Sequence, residues 1–487
     1  MKQHIEPPKD SKLPQLATVL NVRKMRDVFR NYWAAMGAAD NLQITGCNIE
    51  RVKYKPGKNC QISYQLEFVD ANNGKTFQQL FFATVYPEKQ SQSRYQKALR
   101  QPLVQPQIGE PVFHFPALEM VIRAFPNDRK LHGLQQVLQP EILSQIIIPD
   151  ALNSAIGEHR HIEKWQHEVV HFVPEHVCTV KVDVQLGGNR PQTESFFGKV
   201  YYNDEGAKTI ENMRRIWDSP LRKNGTLNVA KPLAYYPQWR SMWQCGLPGG
   251  TLLDLGFGSD AFMKMIPKAA EQVAALHRCE LQNLPEINHK SIAEKLVAVQ
   301  QMLEKTGFAK TEKSAGLVKQ LLNQQPFLSE APVVTLHGDL HLKNFLTNEG
   351  TVSVIDLDSL ASGDPVVDLG SFIAGMLNMG IQKRLPATQL RKVIGLFLNA
   401  YQRASSLQID SAKLRWHIAA ALLTERVFRA ITRQKSTINN LPEYLVILAI
   451  DIASATDAPG IFKSLSSFPG FSSQLWEGKP FLSDYMA

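Results

Sequence analysis

The forty residues Val333–Phe372 read VVTLHGDLHLKNFLTNEGTVSVIDLDSLASGDPVVDLGSF. Val333–Leu336 is a short apolar run of the kind that forms a buried strand. It leads into His337-Gly338-Asp339, and Asn344 lies five positions beyond Asp339. Phe345 and Leu346 begin a second short strand, and Asn348-Glu349-Gly350 is turn chemistry. Thr351–Ile355 is a third strand, ending at Asp356 and Asp358. Gly363-Asp364-Pro365 breaks the chain before an apolar helix that starts near Asp368. An Asp and an Asn on one loop, with an Asp at the end of a returning hairpin, converge on one point. Phosphoryl transfer from ATP uses this set: a carboxylate to orient and deprotonate the attacking hydroxyl, and hard oxygen ligands for Mg²⁺. Asp339 fits the first role, and Asn344 and Asp356 the second. Turn-forming and strand-capping roles for the same residues are the bland alternative. His337 reads as a strut of the loop, and His341 and Lys343 as solvent-facing loop residues.

HGDLHLKN followed by IDLDSLASGDPVVDLG resembles the signature of the aminoglycoside phosphotransferase and choline kinase superfamily, small-molecule kinases with a protein-kinase-like fold. The positions that carry the resemblance are His337, Asp339, Asn344, Asp356, Gly363, Asp364, Pro365 and Asp368. It implies that Asp339 is catalytic, that Asn344 and Asp356 bind metal, and that Asp368 is structural. It also implies ATP and Mg²⁺ as cofactors, and a hydroxyl of a sugar, amino sugar or amino alcohol as acceptor.

A second pattern lies upstream. ITGCNIERVKYKPGKNC (Ile44–Cys60) matches IEKWQHEVVHFVPEHVC (Ile162–Cys178) at a constant offset of 118 residues. Ile44, Glu50, Val52, Pro56 and Cys60 meet Ile162, Glu168, Val170, Pro174 and Cys178. Alternating strands follow both segments, then FFATVY at Phe81 and FFGKVY at Phe196, then a helical stretch. MVIRAFP at Met120 echoes MWQCGLP at Met242. This is an internal duplication of small α+β units, about ninety residues each. Each unit resembles the N-terminal lobe of a kinase-like fold. The second carries Lys199, with Glu211 twelve residues on; a strand Lys paired with a helix Glu positions the nucleotide phosphates in kinases. Glu205 in the same helix is a rival for that pairing. The first unit has Thr84 and Gln96 at these places. Its YKPGKNC turn offers backbone N–H groups that can cradle a phosphate, although an ordinary basic turn explains it better. The segment around Gln244 and Gly246 is expected to lead to the lobe junction and to meet the adenine edge.

Hydrophobic residues make up 44% and charged residues 20% of the chain, ordinary values for a soluble globular protein. The net charge is +9, but no basic stripe interleaved with aromatics accompanies it. Nucleic acid is therefore not an expected partner. No apolar run is long enough to span a membrane. The polar, Pro-containing first fifteen residues read as a flexible arm with no signal peptide. Five cysteines without a C-x-x-C motif suit free thiols in a reduced cytoplasm. Helical spacing of apolar residues marks Leu16–Met36, Ala261–His277, Lys290–Leu303, Ser314–Gln324, Leu369–Met379, Gln389–Gln402 and Lys413–Thr432 as helices. Glu425 and Arg429 stand four apart in the last of these, the spacing of a surface ion pair.

The expected fold class is therefore α+β: a bilobal protein-kinase-like fold preceded by a degenerate duplicate of its N-terminal lobe. Residues 1–43 would be an arm and helix, 44–146 the degenerate copy, 162–255 the nucleotide-binding lobe with Lys199, Glu211, Gln244 and Gly246, and 256–487 a helical lobe carrying the catalytic loop. The expected activity is transfer of phosphate from ATP to a hydroxyl of a small molecule. A nucleotide-binding scaffold that uses the duplicated lobe to hold a partner is the alternative; the complete Asp339, Asn344 and Asp356 set argues against it.

Overall fold

A computed structural model describes residues 7–35, 42–157, 160–187, 192–325, 332–433, 438 and 440–455. Two five-stranded antiparallel sheets dominate its first half. The first holds β1 (Leu42–Lys55), β2 (Asn59–Asp70), β3 (Thr76–Val85), β4 (Val112–Phe115) and β5 (Met120–Ala124), in the spatial order β1-β2-β3-β5-β4. The second holds β6 (Ile162–Val173), β7 (Val177–Leu186), β8 (Gln192–Tyr201), β9 (Pro232–Tyr236) and β10 (Ser241–Cys245), in the matching order β6-β7-β8-β10-β9. Alternation makes each sheet two-faced. Along β7, Cys178, Val180, Val182, Val184 and Leu186 all point to one buried face. They pack against the helical segment Pro140–Ile156 through Leu143, Ile147, Ile148 and Leu152. In the first sheet the same face packs against the helix Val22–Ala35, where Phe29 and Trp33 meet Tyr64, Phe81 and Phe113.

The repeat is longer than the strands alone suggest. Asp10 accepts hydrogen bonds from the Gly57 amide (2.7 Å) and the Lys12 amide (2.9 Å). Asp128 accepts the equivalent pair from Glu175 (2.8 Å) and Lys130 (2.7 Å). Asp10, Lys12, Leu13, Leu16, Val19 and Leu20 precede Asp128, Lys130, Leu131, Leu134, Val137 and Leu138 by the same 118 residues. The unit thus begins with an Asp that pins its own hairpin turn, and it includes the helix before the first strand. The described part of the expected flexible arm is packed: Leu13 is fully buried and Asp10 also takes the Tyr54 hydroxyl at 2.8 Å. Residues 128–156 accordingly pack with the second sheet, not the first.

Register corrects one alignment. Gln61 faces Thr84 as Thr179 faces Lys199, so Thr84 is the counterpart of Lys199. Met120 faces Val85 and Ser241 faces Val200, which makes Ser241, and not Met242, the partner of Met120. A one-residue slip in a strand turns every side chain to the other face. Here Ile122 and Trp243 share the buried face, while Val121 and Met242 share the opposite one.

The remaining chain is mainly helical. The helices Asp260–His277, His289–Lys305, Thr311–Gln324, Val366–Lys383, Ala387–Ser405 and Ser411–Ala421 share one core with the short strands β11 (Gly250–Thr251), β12 (Glu286–Ile287), β13 (Val334–Leu336), β14 (Phe345–Asn348), β15 (Thr351–Val354) and β16 (Ala361–Gly363). The predicted single helix over Lys413–Thr432 is interrupted by a π-helical segment, Leu422–Val427, before Phe428–Arg433. That wider turn rotates the following residues around the axis. Met36 and residues 456–487 lie outside the described residues. No helix among the described residues is long and apolar enough to cross a membrane, and all five cysteines are unpaired.

Candidate active site

The loop after β13 is held from behind by Asp368, in the first turn of the helix Val366–Lys383. Its carboxylate accepts the His337 amide (2.6 Å) and the Gly338 amide (3.0 Å), and meets His277 Nε2 at 3.1 Å. Burial alone would raise the pKa of Asp368; the His277 hydrogen bond and the His337 amide outweigh it and hold the group ionised below its usual range. Gly338 has φ +80°, and a Cβ there would lie 2.0 Å from the Ser359 carbonyl oxygen, so this turn requires glycine. His337 is a strut, with Nε2 at 3.0 Å from the Ile355 carbonyl oxygen.

That strut and one backbone bond register the loop with the hairpin. The Ile355 amide donates to the Asn344 carbonyl at 2.9 Å. Asp356 follows in the left-handed region (φ 65°) and swings its carboxylate toward the second sheet. Asn344 is 1% exposed, and its side-chain oxygen Oδ1 is buried without a hydrogen-bond donor. A buried carboxamide oxygen left without a donor is costly unless something fills its lone pairs. A hard dication beside Asp356 suits it.

Lys199 reaches across from β8. Its Nζ lies 2.5 Å from Asp356 Oδ1 and 2.6 Å from Asp358 Oδ2, and the Tyr201 hydroxyl donates to Asp358 Oδ1 at 3.0 Å. Burial works against the lysine's charge, but the Asp358 and Asp356 carboxylates outweigh it and raise its pKa. For Asp356, burial is likewise outweighed by Lys199, and the pKa falls. Asp358 was not among the anticipated site residues; the D-x-D spacing at the hairpin end was its only local signal.

Asp339 is paired with Arg429, whose Nη2 lies 3.0 Å from Oδ1. Burial would raise the Asp339 pKa, yet Arg429, with His341 and Arg426, brings it below the ordinary value. The expected Glu425–Arg429 surface pair does not form. The π-helical turn separates them: Glu425 bonds Ser371 (2.8 Å) and Arg426 (3.1 Å), which leaves Arg429 for Asp339 on the loop after β13. His341 is half-buried, with Nδ1 enclosed, and not solvent-facing as expected; Lys343 is exposed.

The other anticipated nucleotide contacts are placed differently. Glu211 sits on the outer side of the helix Glu205–Asp218 and pairs with Arg215 at 2.6 Å, because Ile210, Met213 and Ile216 take the inner side. Glu205 accepts from Asn203 at 3.0 Å, so neither acid meets Lys199. Gln244 lies in β10, between β8 and β9. The Gly246 amide already donates to the Ser195 carbonyl at 2.6 Å, which removes it as a donor to an adenine edge. In the first repeat the Gly57 amide is held by Asp10, so the YKPGKNC turn is no phosphate cradle.

His289, Asp364 and His417 bring three possible ligand atoms within 4.8 Å of one another. The Lys413 ammonium already sits against Asp364, which places a cation where a metal would need the carboxylate. This group is a buried polar knot behind the loop. Burial, with His289 and Lys413, drives His417 down to about 3, so it is neutral.

The sequence model of the phosphotransferase enzyme family matches residues 190–417, from the start of β8 through the catalytic loop to the helix Ser411–Ala421. The match covers a little under half of the chain and includes the motifs that carry the resemblance to small-molecule kinases. Among curated proteins none matches the chain. Among solved structures, an apo thermostable mutant of aminoglycoside phosphotransferase APH(4)-Ia is 13% identical, with TM-score 0.40 over 65% of this chain and 99% of that one. Amicoumacin kinase hAmiN, in complex with AMP-PNP, Ca²⁺ and Ami, is 12% identical, with TM-score 0.42 over 64% and 94%. Choline kinase from Cryptosporidium parvum is 11% identical, with TM-score 0.44 over 63% and 94%.

Proposed function

We propose that the protein is an ATP- and Mg²⁺-dependent kinase that phosphorylates a hydroxyl of a small molecule of sugar or alcohol type. The observation that carries this reading is the Asn344 carboxamide oxygen, buried and without a donor, in a loop registered against Asp356 and its partner Lys199. Asn344 and Asp356 would hold the metal, which when bound neutralises phosphate charge. Lys199 would exchange Asp356 and Asp358 for nucleotide phosphates. Asp339 would orient the acceptor hydroxyl and take its proton, once Arg429 has moved from its carboxylate. Asp368 keeps the loop fixed throughout, through two backbone N–H groups.

Thermal melting with Mg²⁺ and ATP or GTP tests this. At a ligand concentration of a hundred times Kd, binding adds about 2.7 kcal/mol of stability. The wild type should shift, and Asp356→Ala and Lys199→Ala should lose most of the shift. A wild type that does not respond to either nucleotide would rule the reading out.

A further inference from the structure

We infer that the acceptor is an anionic small molecule, one bearing a phosphate or carboxylate besides its hydroxyl, and that β1 of the first repeat builds part of its site with Arg51 and Lys53. This rests on the phosphotransferase reading and narrows its substrate class.

β1 is an edge strand, and the helix Phe428–Arg433 packs against it. Alternation along β1 sends Val52 and Tyr54 into the core and leaves Arg51 and Lys53 on the other face. On the helical side Arg426, Arg429 and Arg433 follow at spacings of three and four, and Arg429 touches Asp339. The contact between β1 and this helix sets Arg51 beside Arg429, the partner of Asp339, with Arg433 and Lys53 next to them and Arg426 in the preceding π-helical turn. Two have a carboxylate: Arg429 has Asp339, and Arg426 has Glu425. Arg51, Lys53 and Arg433 form no ion pair with any described residue.

Burial and neighbouring charge together lower their pKa values, against the opposing pull of Glu175 on Lys53 and Asp339 on Arg433. Burial, then the charge of Arg429, lowers Arg51. Burial, then Arg429 and Arg51, brings Arg433 down to about 10. Burial, then Lys55 and Arg51, lowers Lys53. Like charges gathered at one place disfavour each other and attract an anion. Guanidinium groups match phosphate and carboxylate oxygens in pairs. An amino sugar or amino alcohol would add one more cation to the cluster.

An anionic acceptor also resolves the resting Asp339–Arg429 pair. Its anion takes Arg429 and frees the Asp339 carboxylate. The acceptor oxygen then bonds to the γ-phosphorus, the bond from that phosphorus to the β–γ bridging oxygen breaks, ADP leaves with the electron pair, and the hydroxyl proton passes to Asp339.

The test measures two things on the full chain. Calorimetry with inorganic phosphate and with glycerol 3-phosphate, with and without AMP-PNP and Mg²⁺, reads binding. ADP release from ATP reads turnover of glycerol 3-phosphate and gluconate against glycerol, glucose, glucosamine and choline. The anionic compounds should bind and react in preference to the others. Arg51→Gln and the exposed Lys53→Gln should each weaken phosphate binding about tenfold, with AMP-PNP affinity unchanged, and Arg51→Lys should restore most of it. Preference for neutral or amino compounds, or anion affinity untouched by both Gln variants, overturns the inference. So does an equal loss of AMP-PNP affinity, which would assign the cluster to the nucleotide. A wild type that fails to bind AMP-PNP·Mg²⁺ refutes the kinase reading instead, while the phosphate arm without nucleotide still judges the cluster.

Discussion

At the strand position where the second repeat carries Lys199, the first carries Thr84; where the second has Gln244, the first has Arg123. Both residues of each pair lie on the same sheet face. In the second repeat that face meets the helical lobe, through Lys199, Tyr201 and Met242. In the first repeat the part of the face around Phe82 and Thr84 meets a different element. The tip of the β6–β7 hairpin lies there instead, with Phe172 against Phe82 (5.9 Å between centroids) and Glu175 bonded to Arg129 at 2.6 Å. A cavity of about 260 Å³ remains, lined by Thr84, Arg94, Arg123 and Arg129 among others. One backbone path thus supports two surfaces of different chemistry. The opposite face explains why the path persists: each sheet holds an apolar core against the helix that precedes it, whatever the exposed face has become.

Exchanging the two key residues probes this division most sharply. Lys199→Thr should lower kcat/KM for ATP about 10²- to 10³-fold, in line with loss of one charge-stabilising donor. Thr84→Lys should leave it within about twofold. Steady-state kinetics decide, and an effect of Thr84→Lys comparable to that of Lys199→Thr would remove the functional asymmetry.

A smaller effect concerns the cores. Gly198 faces Trp243, and a Cβ there would come within 2.4 Å of the indole; the matching pair in the first repeat is Ala83 with Ile122. Small beside large in one sheet becomes medium beside medium in the other. Gly198→Ala should destabilise by about 1–3 kcal/mol through overpacking, whereas Ala83→Gly should lose roughly 1 kcal/mol through chain entropy and lost packing. Urea denaturation of each variant measures both.

The smallest effect separates the two hairpin anchors by pH. For Asp10, burial is outweighed by hydrogen bonds from the Gly57 amide and Tyr54, and the pKa is lowered. For Asp128, burial prevails and the pKa is raised. Folding therefore favours the ionised form of Asp10, and its contribution is lost as pH falls through its lowered folded value. Folding favours the protonated form of Asp128, so stability is gained as pH falls through its raised folded value toward the ordinary one. Asp10→Asn and Asp128→Asn should change the pH dependence of the urea midpoint in opposite senses across about pH 3–6. Parallel changes would show that the anchors share one environment.

The candidate loop was readable in the sequence because its polar residues lie within twenty positions. Asp339, Asn344 and Asp356 are local in the chain, and turn residues separate them. The repeat made Lys199 visible by contrast with Thr84. Partners set by tertiary contact were not readable. Arg429 reaches Asp339 because a π-helical turn, which no residue pattern signals, redirects it. Arg51 belongs to a strand that looked like part of a vestigial copy. Glu211 sat at the expected distance from Lys199 along the chain, yet the apolar face of its helix turned it outward. The repeat's start escaped because D-x-K-L-x-x-L is short and lies in polar sequence, and its role as a turn anchor becomes apparent only beside Gly57 and Glu175.

The contact between β1 and the helix Phe428–Arg433 joins segments almost the whole described chain apart. A domain that folds during synthesis completes its N-terminal part first, and a ribosome adds about 5–20 residues per second. The first sheet closes on its own helix early, while Arg51 and Lys53 wait on the order of twenty seconds to a minute for Arg429 and Arg433 to be made. The first repeat is therefore the oldest part of the nascent chain and also one side of a contact assembled late. A nascent chain halted before Phe428 would carry both sheets and the loop of Asp339, yet lack the helix that packs on β1.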